Sequence, residues 1–291
     1  MSHLIKLHFP QANARGVVAS LDRPIRDALQ HYEIPQNLRG IMAEMAMGAV
    51  LLAGLIRKPG TTMIQLANPN APLSVACVQV FENTNFRIYI RLHPELTITD
   101  EMSFSRIVNP DGKTQCSFIF AEPQCKPADM PQSVIPMNGA SMSECITSYF
   151  EQNDAVPGFM KIVHAGDKVA GILLQTLPRN GGVLPENYDP DGWNRIQLFA
   201  QSVKDEELLR LSAEEVAMRL FWQERPTILE QLDPQFQCTC SMERFRSIAR
   251  EHRDDVLAQA HRTGSVTISC NFCGNAHTWT EEEIKALLQI N

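Results

Sequence analysis

The chain has 291 residues, 44% hydrophobic and 20% charged, with 33 Asp and Glu against 26 Lys and Arg for a formal net charge of −7. That length suits about two domains and one sizeable core, and the composition is that of an ordinary soluble globular protein. The acidic balance argues against nucleic acid as a partner, which normally demands a basic face.

The start, MSHLIKLHFPQANARG, has no apolar h-region and no small-residue cleavage site. No export signal is therefore read there, and the cytoplasm is the expected address. Gln36 to Arg57 is predicted as a long helix, with Ile41, Met42, Met45, Val50, Leu51, Leu52, Leu55 and Ile56 almost encircling it and Lys58-Pro59-Gly60 stopping it. Glu44 inside and Arg39 and Arg57 near the ends leave it short of the about 20 apolar residues of a membrane span, so it reads as a buried core helix. Thr61–Ala67, Leu73–Phe81, Phe86–Leu92 and Gln115–Ala121 read as strands, the second and third clearly alternating. Asn83-Thr84-Asn85 supplies a turn between those two, which makes a meander. Ser141 and Glu144 form a capping-box pattern ahead of Cys145, Ile146, Tyr149 and Phe150 on one helical face, predicting a helix that covers the sheet. Phe159 to Leu177 reads as two further strands turning at Ala165-Gly166-Asp167.

Pro178-Arg179-Asn180-Gly181-Gly182 is a cluster of turn formers and marks a boundary. Three short charged helices are predicted beyond it: Gly192–Val203, Asp205–Leu211 and, after a Ser212/Glu215 capping box, Ala213–Trp222. Isolated helices below about 12–15 residues are marginal in water, so these need a surface to lie on. The region reads as a docked linker. The organisation expected is residues 1–183, a linker at 184–231, and a C-terminal segment at 232–291.

That last segment holds four of the eight cysteines in two tight pairs, Cys238-Thr239-Cys240 and Cys270-Asn271-Phe272-Cys273. Two short-spaced pairs joined by a helical stretch can close four thiolates around one tetrahedral zinc. Gly274 follows directly and suits a tight turn that aims backbone amides at a metal-bound sulfur. Secreted-type disulfides fit less well, since a reducing compartment keeps thiols free. The segment has few apolar residues, so it folds poorly without a staple, and zinc supplies roughly 10–16 kcal/mol in small zinc domains. Its own charge is acidic, although Arg244, Arg246, Arg250 and Arg253 could line one helical face. A static zinc-stapled adaptor or nucleic-acid-binding module is thus the bland alternative. Thiolates also react with peroxide, and oxidised sulfurs no longer hold metal, so the same four residues permit a switch.

Other sites carry less. Cys77, Cys116, Cys125 and Cys145 are scattered singly and read as small buried apolar side chains. His277 reads as solvated or supporting rather than a ligand, and His164 has no His or Glu at metalloenzyme spacing. There is no zinc-deaminase H-x-E element, no thioredoxin-like βαβ around the Cys-x-x-Cys, and no Walker loop or G-x-G-x-x-G.

The chain resembles the heat-shock protein 33 family, the redox-regulated holdase chaperones. The resemblance lies in CTCSMERF at Cys238–Phe245 and CNFCGN at Cys270–Asn275. It extends to SECITSYFEQND at Ser143–Asp154, VAGILLQTLP at Val169–Pro178 and ELLRLSAEEVAMRLFWQE at Glu207–Glu224. It implies an α+β architecture: an N-terminal α/β chaperone domain, a helical linker wrapped over it, and a small C-terminal zinc-binding domain. It implies that Cys238, Cys240, Cys270 and Cys273 hold one zinc ion in a reduced, inactive form and that the protein is not an enzyme. Oxidation would pair Cys238 with Cys240 and Cys270 with Cys273, expel zinc and unfold the linker. The oxidised protein would act as a homodimer, holding unfolding clients without ATP, nucleic acid or membrane.

Overall fold

Strands β1 (His3–Phe9) and β2 (Ala14–Leu21) open the chain as an antiparallel pair. They belong to a computed structural model that describes residues 3–56, 60–81, 84–123, 125, 130–151, 157–177, 184 and 186–289. Helix α1 (Arg23–Leu29) has Pro24 in its first turn, where a missing N–H costs nothing, and leads into α2 (Gln36–Leu55). The meander β3 (Thr61–Ala67), β4 (Leu73–Val80) and β5 (Phe86–Leu92) follows, then α3 (Phe104–Val108), β6 (Gln115–Ala121), β7 (Gln132–Ile135) and α4 (Met142–Glu151). The hairpin β8 (Gly158–Ala165) and β9 (Lys168–Thr176) comes next. Helices α5 (Gly192–Ser202), α6 (Asp205–Arg210) and α7 (Ala213–Phe221), a 3-10 turn at Trp222–Glu224, and β10 (Thr227–Leu232) complete the first of two compact units, Met1–Phe236.

Two five-stranded antiparallel sheets form this unit, in the orders β10-β1-β2-β9-β8 and β5-β4-β3-β6-β7. The alternating segments of the sequence became strands because each packs one face on α2, with Ile64, Leu66, Ala76, Val78 and Ile88 pointing inward. From the other sheet, Leu4, Val17, Ala19 and Leu173 reach the same core. Helix α2 is packed by strands of both sheets, which explains an apolar surface that runs almost all round it. By length and composition it could cross a membrane, yet 89% of its most apolar window is buried inside the protein. Gly171 lets α2 approach β9 closely: a Cβ there would lie 2.7 Å from the Leu51 side chain.

Helix α2 ends at Leu55, two residues before the sequence expectation. Ile56 turns extended, and Arg15 of β2 donates from Nη1 to the Leu55 carbonyl at 2.6 Å, a cap supplied from 40 residues away. Arg57 at the end of the expected helix, Lys58 and Pro59 of the expected stop, Asn83 of the expected turn, and the cluster Pro178–Gly182 lie outside the described residues. The α4 capping pattern is realised with Ser141 Oγ accepting from the Glu144 N–H at 3.1 Å, and Cys145, Ile146 and Phe150 are buried beneath.

The opposite face of the first sheet presents Ile5, Leu7, Phe9, Val18, Ile172 and Leu174, and α5–α7 lie on it. Ile196, Ala200, Leu208, Val216 and Phe221 are the buried side of those helices, with Phe221 edge-on to Phe9 at 5.2 Å between ring centroids. Helices α5–α7 therefore have the surface their shortness requires. Arg195 of α5 makes a bidentate pair with Glu224 at 2.8 and 3.0 Å, tying the first helix to the 3-10 turn that follows the third. The segment then closes with β10, paired antiparallel to β1 and held by Lys6–Glu230 at 2.6 Å.

Candidate metal centre

The second unit, Gln237–Asn291, is built from α8 (Met242–Glu251), α9 (Arg253–Thr263), the hairpin β11 (Ser265–Ser269) and β12 (Ala276–Thr280), and α10 (Glu281–Leu287). Local signals set each piece. Ser241 caps α8 by accepting from the Arg244 N–H at 3.2 Å. A reciprocal box between Thr280 and Glu283 starts α10. The first cysteine pair occupies the irregular segment just before α8, and the second occupies the turn between β11 and β12.

That turn is closed by backbone bonds. The Cys270 N–H donates to the Asn275 carbonyl at 2.7 Å, and the Gly274 N–H donates to the Cys270 carbonyl at 2.9 Å. Gly274 has φ +71°, a left-handed conformation that favours glycine at this position. The backbone N–H of Asn275 points back at the Cys273 sulfur, as the sequence had suggested of the turn amides.

The hairpin turn and the α8 entry bring four sulfurs together. Sγ of Cys238 lies 3.6 Å from that of Cys270, Cys240 lies 3.5 Å from Cys273, and all four fall within 4.8 Å of one another. Four thiolates about 2.3 Å from a central ion would sit about 3.8 Å apart at the corners of a tetrahedron. The donor set and its spacing fit a zinc-type ion. Burial, and then hydrogen bonding among the neighbouring thiols, pushes the Cys273 thiol up against the lowering effect of the Asn275 amide. A cation at the centre would reverse that preference by replacing protons with a positive charge. All four cysteines are only half-buried, so small solutes can reach them.

Little lies beneath the cluster. Phe245, Ala249, Val256, Ala260, Val266, Trp279, Ile284 and Leu288 are the buried apolar residues of this unit among those described, with Cys240 and Cys270 packed against them. His277 stays outside the sulfur group, its ring edge-on to Trp279 at 4.3 Å. The arginines of α8 are partly engaged, since Glu243 pairs with Arg250 at 3.0 Å and Arg246 at 3.6 Å.

Elsewhere the scattered cysteines are quiet. Cys77, Cys116 and Cys145 are buried, and burial pushes the thiols of Cys77 and Cys116 up to about 12 and raises that of Cys145. Cys125 is half-buried. One polar site escaped the sequence reading. Glu44 of α2, 6% exposed, accepts from the Ser143 N–H at the start of α4 (2.9 Å) and meets His164 Nδ1 of β8 at 3.0 Å. Its only sequence signal was a lone acid in an apolar helix. The partners lie 99 and 120 residues away.

The Hsp33 protein family model matches residues 2–280. A 33 kDa chaperonin of Methylobacillus flagellatus is 30% identical over 98% of this chain and 94% of its own length. Another 33 kDa chaperonin, from Chromobacterium violaceum, is 27% identical over 100% of this chain and 96% of its own. Among solved structures, a 33 kDa chaperonin (heat shock protein 33 homolog) of Thermotoga maritima superposes with a TM-score of 0.77 at 15% identity, covering 99% of this chain and 98% of that one. That last likeness is one of fold.

Proposed function

Because the chain belongs to the Hsp33 family, a family of chaperones that bind unfolded proteins, we propose that it is a redox-regulated, ATP-independent holdase of the cytoplasm whose resting form is reduced and zinc-bound. Cys238, Cys240, Cys270 and Cys273 would hold the ion. Bound there, zinc keeps the sulfurs as thiolates at neutral pH and cross-links a unit too small to hold itself together. The observation that carries this reading is the gathering of those four half-buried sulfurs within 4.8 Å above a core of eight apolar residues.

On oxidation, Cys270 and Cys273 form one disulfide and Cys238 and Cys240 the other. Each pair of thiolates gives two electrons to one hydrogen peroxide: an S–S bond forms, the O–O bond breaks, and the two oxygens take up two protons and leave as two water molecules. Disulfide sulfurs are poor donors, so the cysteines no longer hold the cluster together and the unit they staple unfolds. Strand β10 ends at Leu232, six residues before Cys238, so in this reading the disorder spreads along that short stretch of chain and strips β10 from its pairing with β1. Helices too short to persist alone then leave the sheet. The bared apolar face holds clients, with the oxidised protein as a homodimer. The constitutive adaptor or nucleic-acid module is disfavoured by the acidic charge and by Glu243 occupying two of the α8 arginines.

The test is light scattering of a heat-aggregating protein, with the reduced zinc form and the peroxide-treated form side by side and zinc release followed by a chromogenic chelator. Suppression by the oxidised, zinc-free form alone is expected. Two inert forms, or activity only with zinc bound, would overturn the reading.

A further inference from the structure

The sheet face beneath α5–α7 is apolar, but one ammonium group in it meets the linker. Lys161 projects from β8 between Phe159 and Val163, which pack in the same layer. Its Nζ lies 2.7 Å from the Val203 carbonyl oxygen and 2.7 Å from Oδ1 of Asp205. Val203 follows the last residue of α5, where carbonyls lack helical partners and the helix dipole is negative. Asp205 starts α6, whose first turn also carries Glu206 and Glu207. One cation thus reads two negative features of a helix-turn-helix segment: the carbonyl end of one helix and the acidic start of the next.

The surroundings favour that sign of charge. Strands β1, β2, β8 and β9 contain no Asp or Glu, so no carboxylate on them competes for Lys161. The segment that covers them, residues 184–231, holds ten Asp and Glu against five Lys and Arg. Apolar contact is non-directional and accepts many sequences. The lysine adds a condition on charge, and its flexible stem does not dictate which acid must meet it.

Resting on the reading that the linker leaves this face on oxidation, we propose that the bared face is a docking site for acidic amphipathic helical segments of unfolding proteins, with Lys161 as its specificity-determining residue. In the present structure the linker occupies the site as such a segment. Departure of Asp205 leaves Lys161 beside apolar surface, and a client carboxylate or helix C-terminus restores its charge-assisted hydrogen bonds. A basic segment would instead place like charges together.

The experiment uses the oxidised full-length chain and two fluorescent peptides with the same apolar pattern, one carrying Asp and Glu at the polar first-turn positions and the other Lys. Anisotropy should show the acidic peptide binding about tenfold tighter, the scale expected when a hydrogen-bonded charge pair replaces a mismatch. Lys161→Glu should reverse the preference, and Lys161→Gln should abolish it while both peptides still bind. Zinc content and circular dichroism of the reduced variants verify folding, and Lys161→Gln carries the test if Lys161→Glu does not fold. Aggregation suppression is measured on the same samples. Oxidised wild type that suppresses aggregation but binds both peptides equally, or a variant that keeps the wild-type preference, overturns the docking proposal alone. Oxidised wild type that suppresses nothing overturns the holdase reading beneath it.

Discussion

Around α2, forty buried apolar side chains form one cluster; in the C-terminal unit eight do, counted among the described residues. The first region has enough apolar burial to hold its shape without a metal. The second has four sulfurs converging where a larger core would otherwise be. Helices α5–α7 stand between these cases, since their buried side is apolar but their surface is lent by β1, β2, β8 and β9. One chain therefore contains segments that differ in how much apolar surface each can bury for itself.

The largest effect that would sharpen this contrast comes from metal removal. Chelation under reducing conditions, or Cys270→Ser with Cys273→Ser, should remove the roughly 10–16 kcal/mol typical of small zinc domains and unfold the C-terminal unit. Hydrogen exchange should then lose protection at Val256, Trp279 and Ile284 while Met45 and Leu173 keep theirs. Retained protection at Trp279 without metal would break the contrast.

Next is Phe221→Ala, which empties a site with no solvent exposure against Phe9. A loss of about 3–5 kcal/mol is expected for such a truncation, confined to the linker. Limited proteolysis should cut within 184–231 while zinc stays bound, and an uncut linker would show that Phe221 does not hold it. Leu51→Ala in α2 should cost about 2–5 kcal/mol of the denaturant-measured stability of the first unit. Unaltered zinc affinity in that variant is the sharper readout, because the two cores share no residue.

The smallest effect is one of pH. The hydrogen bond to Glu44 raises the His164 pKa above its ordinary value, with partial burial opposing. A raised folded value means the stabilisation is fully present below the unfolded pKa of about 6.5 and fades as pH rises through the folded one. His164 is over a third exposed, so less than about 1 kcal/mol is expected. Urea midpoints from pH 5.5 to 8.5 should fall more steeply for wild type than for His164→Asn; parallel curves would remove His164 from the account.

Legibility followed how local each signal was. β3 to β6 and α4 to α7 were readable because alternation, helical spacing and capping boxes act within a few residues. β2 was not read as a strand, since all but one of its residues are buried and alternation vanishes on a strand covered on both faces. β10 was missed for the opposite reason: five of its six residues are exposed and it has no apolar face to announce it. Cysteine spacing singled out the four sulfurs, while only folding showed them meeting within 4.8 Å.

The sequence by itself determined the composition of the cluster, the shortness of the linker helices and the apolar character of α2, because each is written in neighbouring residues. Tertiary structure alone decided that Arg15 ends α2, that Glu44 meets His164 and that Lys161 takes hold of Val203 and Asp205. Those pairs are 40, 120 and about 42 residues apart, and at such separations partners are chosen by how sheets and helices stack, which no local pattern encodes.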